Sequence, residues 1–147
     1  MGALSDVIQD MTKRRAVVDD GVRAIEAEVA SKRGVTGLAV KGAFKVVRGI
    51  KPGFIGQALD HLLDDFAARV DPFHTAWKDG GTGTCEQYFV SHKNEIAEAL
   101  LGVTDDRAKR AKNKVLVKTY NKLRPQGVQH VTEAMPRVGA LVAKHTA

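Results

Sequence analysis

Residues 12–34 read TKRRAVVDDGVRAIEAEVASKRG. Within them Val18, Val22, Ile25 and Val29 recur at spacings of 4, 3 and 4, which places them on one face of a helix. Thr12 is the candidate N-cap and Gly34 the stop, giving a helix over about 13–33. Similar punctuation continues on both sides of this stretch. A short helix over 3–10 precedes it, and Thr36 caps a helix over 37–50 that turns Val40, Ala43, Phe44, Val46, Val47 and Ile50 inward. Lys51-Pro52-Gly53 closes that segment, because proline disfavours helix in the residue before it.

Further along, Ile55, Leu59, Leu62, Phe66 and Val70 define a helix over 54–70. Asp71-Pro72 then reads as a cap and first helical residue, opening a short helix through Trp77. The Gly80-Gly81-Thr82-Gly83 loop follows, and Thr84 with Gln87 forms a capping box for the next helix. Gly102 is expected to end that helical region, after which Thr104 or Asp105 starts a long basic helix reaching about Leu123. Pro125 starts another helix, which Pro136 kinks or divides. Period-two alternation is scarce. The fold class expected is all-α, one domain over residues 1–147 forming an irregular bundle of about seven to nine helices.

Composition bounds the functional options. The 147 residues are 44% hydrophobic and 27% charged, a globular balance in a chain long enough to build a core without staples. The single Cys85 cannot form an internal disulfide, which fits a reducing, cytoplasmic setting. The first 15 residues lack the basic start and apolar run of a signal peptide, and no run of about 18 apolar residues is present to span a membrane.

Three segments, AEVASKRGVTGLAVKGAFKVVRGIKPGFI, ALDHLLDDFAARVDPF and GVTDDRAKRAKNKVLVKTYNKLRP, resemble a family of small bacterial helical proteins of unknown function. The resemblance covers residues 4–143 and rests on glycine, proline and basic-residue patterns. It implies a helical fold and a bacterial cytoplasmic setting, and it transfers no active-site residues.

The net charge of +6 is localised. Residues 31–53 carry Lys32, Arg33, Lys41, Lys45, Arg48 and Lys51 with no acid, and residues 104–124 also sum to +6. In the helix over 37–50, Lys41, Lys45 and Arg48 lie at spacings of 4 and 3, beside an apolar face. Gly42 and Gly49 share another face, where glycine would permit close approach of a helix or ligand. These five residues form the candidate binding site, for an anionic amphiphile, an anionic membrane surface or an acidic protein. The competing reading is a solvated edge, salt-linked to Asp60 and Asp64 on the neighbouring helix. An apolar pocket beside Gly42 and Gly49 would favour a bound ligand, and a solvated stripe would favour surface association.

A second candidate is Arg107, Arg110, Lys114, Lys118 and Lys122, which on one continuous helix would form a line able to track nucleic-acid phosphates. Tyr120 is its only aromatic, so base stacking would be poor and binding non-specific. Chemistry finds less support. His61/Asp64, Asp71/His74, His92/Glu95 and His130/Glu133 sit three apart, but the order mostly reverses the Glu-x-x-His pattern of bundle metal sites. The glycine loop at 80–84 lacks the Gly-Lys-Ser/Thr ending of a phosphate loop. Cys85 stands near a helix start without an identifiable histidine partner. The reading is therefore a non-enzymatic binding module, with no catalytic residue, metal or cofactor assigned.

Overall fold

In the computed structural model, which describes residues 2–147, the segments are α1 (Ala3–Val7), α2 (Met11–Ser31), α3 (Gly34–Arg48), α4 (Phe54–Lys78), α5 (Cys85–Ser91), α6 (Lys93–Arg110), α7 (Lys114–Leu123), α8 (Gly127–Glu133) and α9 (Met135–Thr146). A 3₁₀ turn over Arg124–Gln126 joins α7 to α8, and no strand occurs among the described residues. The all-α bundle expected from periodicity is therefore the observed fold.

The core draws on α1, α2, α4, α5, α6 and α9. Leu4 and Ile8 from the N-terminal segment, Val17 from α2, Leu63, Ala67 and Val70 from α4, Phe89 from α5, Ile96 from α6 and Met135 and Val142 around α9 form one buried cluster. Gly139 lets α9 press against α5, since a Cβ there would lie 3.1 Å from both Glu86 Cα and Phe89 Cβ. In contrast, α3 buries only Gly37 and α7 buries no residue fully. Helix α3 lies against α2 and α4, and α7 packs on α3.

Several boundaries differ from the local signals. Asp10, not Thr12, caps α2, its carboxylate accepting from the Thr12 and Lys13 N–H groups. No side chain caps α3, which begins at left-handed Gly34 before Thr36 is reached. The expected break at Asp71-Pro72 does not occur, and α4 runs through Pro72 to Lys78. The buried residues Leu63, Ala67, Val70 and His74, at spacings of 4, 3 and 4, keep one phase across the proline. Packing of that continuous stripe outweighs one missing backbone donor. Asp71 instead serves α1, its carboxylate accepting from Leu4 N at 2.9 Å, Ser5 N at 3.2 Å and the Ser5 hydroxyl.

Gly102 also fails to end its helix. It lies inside α6, where the absent side chain leaves room for the Arg69 guanidinium of α4, 3.3 Å from where a Cβ would be. The break falls later, at 111–113. Ala111 is extended, and Asn113 caps α7 by accepting from Leu116 N. The continuous basic helix expected over 105–124 is thus two helices, because asparagine offers the backbone a cap in place of another helical turn. Pro136 sits in the first turn of α9, dividing rather than kinking the C-terminal segment.

Candidate functional site

The outward face of α3 departs most from what burial would favour. Thr36, Val40, Ala43 and Val47 are half-buried toward the bundle, while Val35, Leu38 and Val46 are 86%, 70% and 48% exposed. Leu38, Gly42 and Val46 succeed one another at intervals of four, so they share that outward face with Val35. Val46, expected inside, is on the wrong side of the helix to reach the core. A helix apolar on both faces cannot bury both against one neighbour.

Lys41, Lys45 and Arg48 are exposed beside this apolar strip. Among the described residues none of the three forms an ion pair. The expected link to Asp60 and Asp64 is absent because Arg14 of α2 holds both. Its Nε lies 2.7 Å from Asp60 Oδ1, and its two Nη atoms lie 3.1 and 3.2 Å from the Asp64 carboxylate. The Arg48 guanidinium stands 5.6 Å from the centre of the Phe44 ring, held on its own helix. A Cβ on Gly42 would meet nothing within 4 Å, and one on Gly49 would meet only carbonyl oxygens of its own helix. No internal close approach explains either glycine.

Behind the C-terminal end of α3 lies a cleft of about 370 Å³ between α3, α4, α6 and α7. Phe54, Leu62, Leu116 and Val117 supply apolar walls, and Lys51 and Arg107 line it as cations. Neither Gly42 nor Gly49 borders it. The pocket sought beside the two glycines is therefore elsewhere, and the basic stripe of α3 is solvated.

The second basic candidate is not a single line. Arg107 faces the cleft from α6, and Arg110 gives a long 3.4 Å bond to the Asp106 carbonyl. Lys114, Lys118 and Lys122 belong to α7, past the break, where all three are exposed. Tyr120 is engaged inside, its hydroxyl bonded to Thr104 Oγ1 and donating to Asp105. Burial, then the Asp105 hydrogen bond, pushes its pKa up. Arg124, followed by Tyr120, holds the Asp105 carboxyl below the usual range. Lys32, counted by sequence with the basic surface, is buried. Its Nζ meets Glu28 and Glu133 at 2.8 Å each and the His130 carbonyl at 3.1 Å.

The titratable groups are dispersed. His74 is buried, its Nε2 3.1 Å from Thr146 Oγ1. His145 reaches Asp20 at 2.8 Å, and His130 lies 3.5 Å from Glu133. Among the described residues no group of three or more His, Cys, Asp or Glu could hold a metal ion. Cys85 is buried, and desolvation followed by the Glu86 charge pushes its thiol pKa up, away from nucleophilic use. The glycine loop is tied down by the Trp77 indole N–H, which donates to the Gly83 carbonyl at 3.1 Å, and the Thr84/Gln87 capping box forms as read.

A family of unknown function, DUF6918, matches residues 4–146. The chain belongs to this family. No curated protein and no solved structure matches it. The features of this DUF6918 protein that bear on function are its exposed α3 face and its cleft. Sequence reading identified the cations of α3 but missed Val35 and Leu38 as surface residues. The signal was present: Val35, Leu38 and Val46 lie across the helix from Val40 and Val47. It also missed the cleft, whose walls come from four separate helices.

Proposed function

We propose that this DUF6918 protein is a non-enzymatic module that associates with anionic membrane surfaces through the outward face of α3. The observation that carries the reading is an unpartnered apolar strip, Val35, Leu38 and Val46, flanked by three cations without ion pairs. Such a helix lies in the plane of a bilayer interface, its apolar residues in the acyl boundary and its cations against lipid phosphates. Each basic residue near an anionic surface contributes about 1 kcal/mol, so the three together would give reversible docking. Gly42, open on the same strip, lets the helix backbone sit close to the headgroups. No helix of the described residues is long and apolar enough to cross a membrane, so the association is peripheral with respect to this helical bundle. In a bacterial cytoplasm, the setting that the resemblance implies, the surface would be the inner leaflet.

Vesicle co-sedimentation tests this. The wild type should sediment with phosphatidylglycerol-containing vesicles and not with pure phosphatidylcholine. Lys41→Glu with Lys45→Glu should abolish sedimentation while leaving helical circular dichroism intact. Equal sedimentation of variant and wild type would remove the reading.

A further inference from the structure

The geometry points to a second, internal site: the cleft between α3, α4, α6 and α7 binds a single-chain carboxylate amphiphile, its alkyl chain along the apolar walls and its carboxylate on Arg107. Its volume of about 370 Å³ falls within the range of roughly 300–1,000 Å³ common to small-molecule sites. The walls are mainly aliphatic and aromatic, which suits a hydrocarbon and not a sugar or nucleotide. No aspartate or glutamate lines the cleft, whereas Arg107 and Lys51 do, so its charge is one-sided and complementary to an anion.

Arg107 supplies the more specific argument. Its Nε is buried with no hydrogen-bond partner, and one Nη gives only a 3.3 Å bond to the His61 carbonyl of α4. A buried donor on a permanently charged group is costly to leave unmade, and native structures rarely do so without a reason. A carboxylate at this wall would accept from the guanidinium in the planar geometry arginine favours. Asp105, two residues before Arg107, bonds Tyr120 and is committed to Arg124, which donates to it at 2.8 and 3.1 Å. The layer enclosing the cleft also suits entry. Helix α7 has no fully buried residue, and it covers the cleft after the 111–113 break from α6.

This inference is independent of docking through α3, because neither Lys41, Lys45 nor Arg48 borders the cleft. Calorimetric titration of the full chain with sodium decanoate, kept below its micelle concentration, provides the test. One saturable site is expected, with chemical-shift changes centred on the Leu62, Leu116 and Val117 methyls. Arg107→Gln should weaken binding at least about tenfold, the usual worth of a charge-assisted bond. Ala108→Trp, which fills the cleft, should remove binding with circular dichroism unchanged. Lys41→Glu with Lys45→Glu should bind decanoate as the wild type does.

Absence of saturable binding, or shift changes elsewhere on the wild-type protein, would overturn the site without reference to any variant. Equal affinity for 1-decanol, or full affinity in Arg107→Gln, would overturn the anionic headgroup. A wild-type protein that binds decanoate but does not sediment with anionic vesicles would sink the surface reading alone, and one that sediments but does not bind decanoate would sink this one alone.

Discussion

His74 shows how one residue's surroundings redefine its chemistry. Three residues after Asp71, it reads as half of a surface ion pair. In the fold it is 3% exposed, edge-on to Trp77 with ring centroids 5.5 Å apart, and its Nε2 meets Thr146 of α9. Desolvation, then the Lys78 charge, lowers its pKa, and Asp71 opposes this only in part. The unfolded chain therefore binds the proton more readily than the folded one, so stability rises with pH across that interval. The contribution is complete above the unfolded value of about 6.5 and is lost as pH falls through the depressed folded value. Urea midpoints measured from pH 7.5 downward should accordingly decline below about 6.5. In His74→Gln that decline should be shallower. An unchanged slope in the variant would assign the acid limb to other groups.

At the scale of elements, attachment matters more than helix propensity. Five-residue α1 is too short to persist alone, yet it delivers Leu4 and is followed by Ile8, both core residues. Its N-terminus is secured by Asp71 from the middle of α4, 67 positions from Leu4 in sequence. Gly2 permits the contact, since a Cβ there would lie 2.3 Å from that of Asp71. Asp71→Ala leaves the Leu4 and Ser5 amides without their acceptor and should cost about 2 kcal/mol of global stability. Amide exchange would locate the effect, with protection falling first over residues 3–8. Uniform loss across α4 instead would mean that Asp71 supports its own helix. A short helix over 3–10 was legible beforehand, but its anchor was not. A capping side chain so distant in sequence leaves no spacing to read.

Across the whole molecule, the +6 charge does not form one nucleic-acid track. Lys32 is neutralised internally, Arg107 turns to the cleft, and Lys114, Lys118 and Lys122 stand on a helix separated by the 111–113 break. What remains exposed can release counterions from phosphates, but it is divided between separate helices. Binding to mixed-sequence duplex should therefore be weak, with Kd about 10⁻⁴ to 10⁻⁶ M near physiological salt, and lost by about 200 mM. Filter binding across a salt series, repeated with Lys114→Glu and Lys118→Glu, measures this. Submicromolar, sequence-selective binding that survives such salt would place nucleic acid ahead of lipid as the partner.

The sequence by itself determined the helical class, the turns at Gly34, Lys51–Gly53 and Gly80–Gly83, the Thr84/Gln87 cap and the basic edge of α3. All of these rest on interactions within about four residues, so they are written in local spacing. Tertiary structure alone decided that α4 passes through Pro72, that Asp71 serves α1, that Arg14 takes Asp60 and Asp64, and that α3 turns Val40 and not Val46 toward the bundle. On α3 both faces are apolar, so periodicity cannot rank them. Only the presence of α2, α4 and α7 on one side distinguishes the face that is packed from the face left exposed.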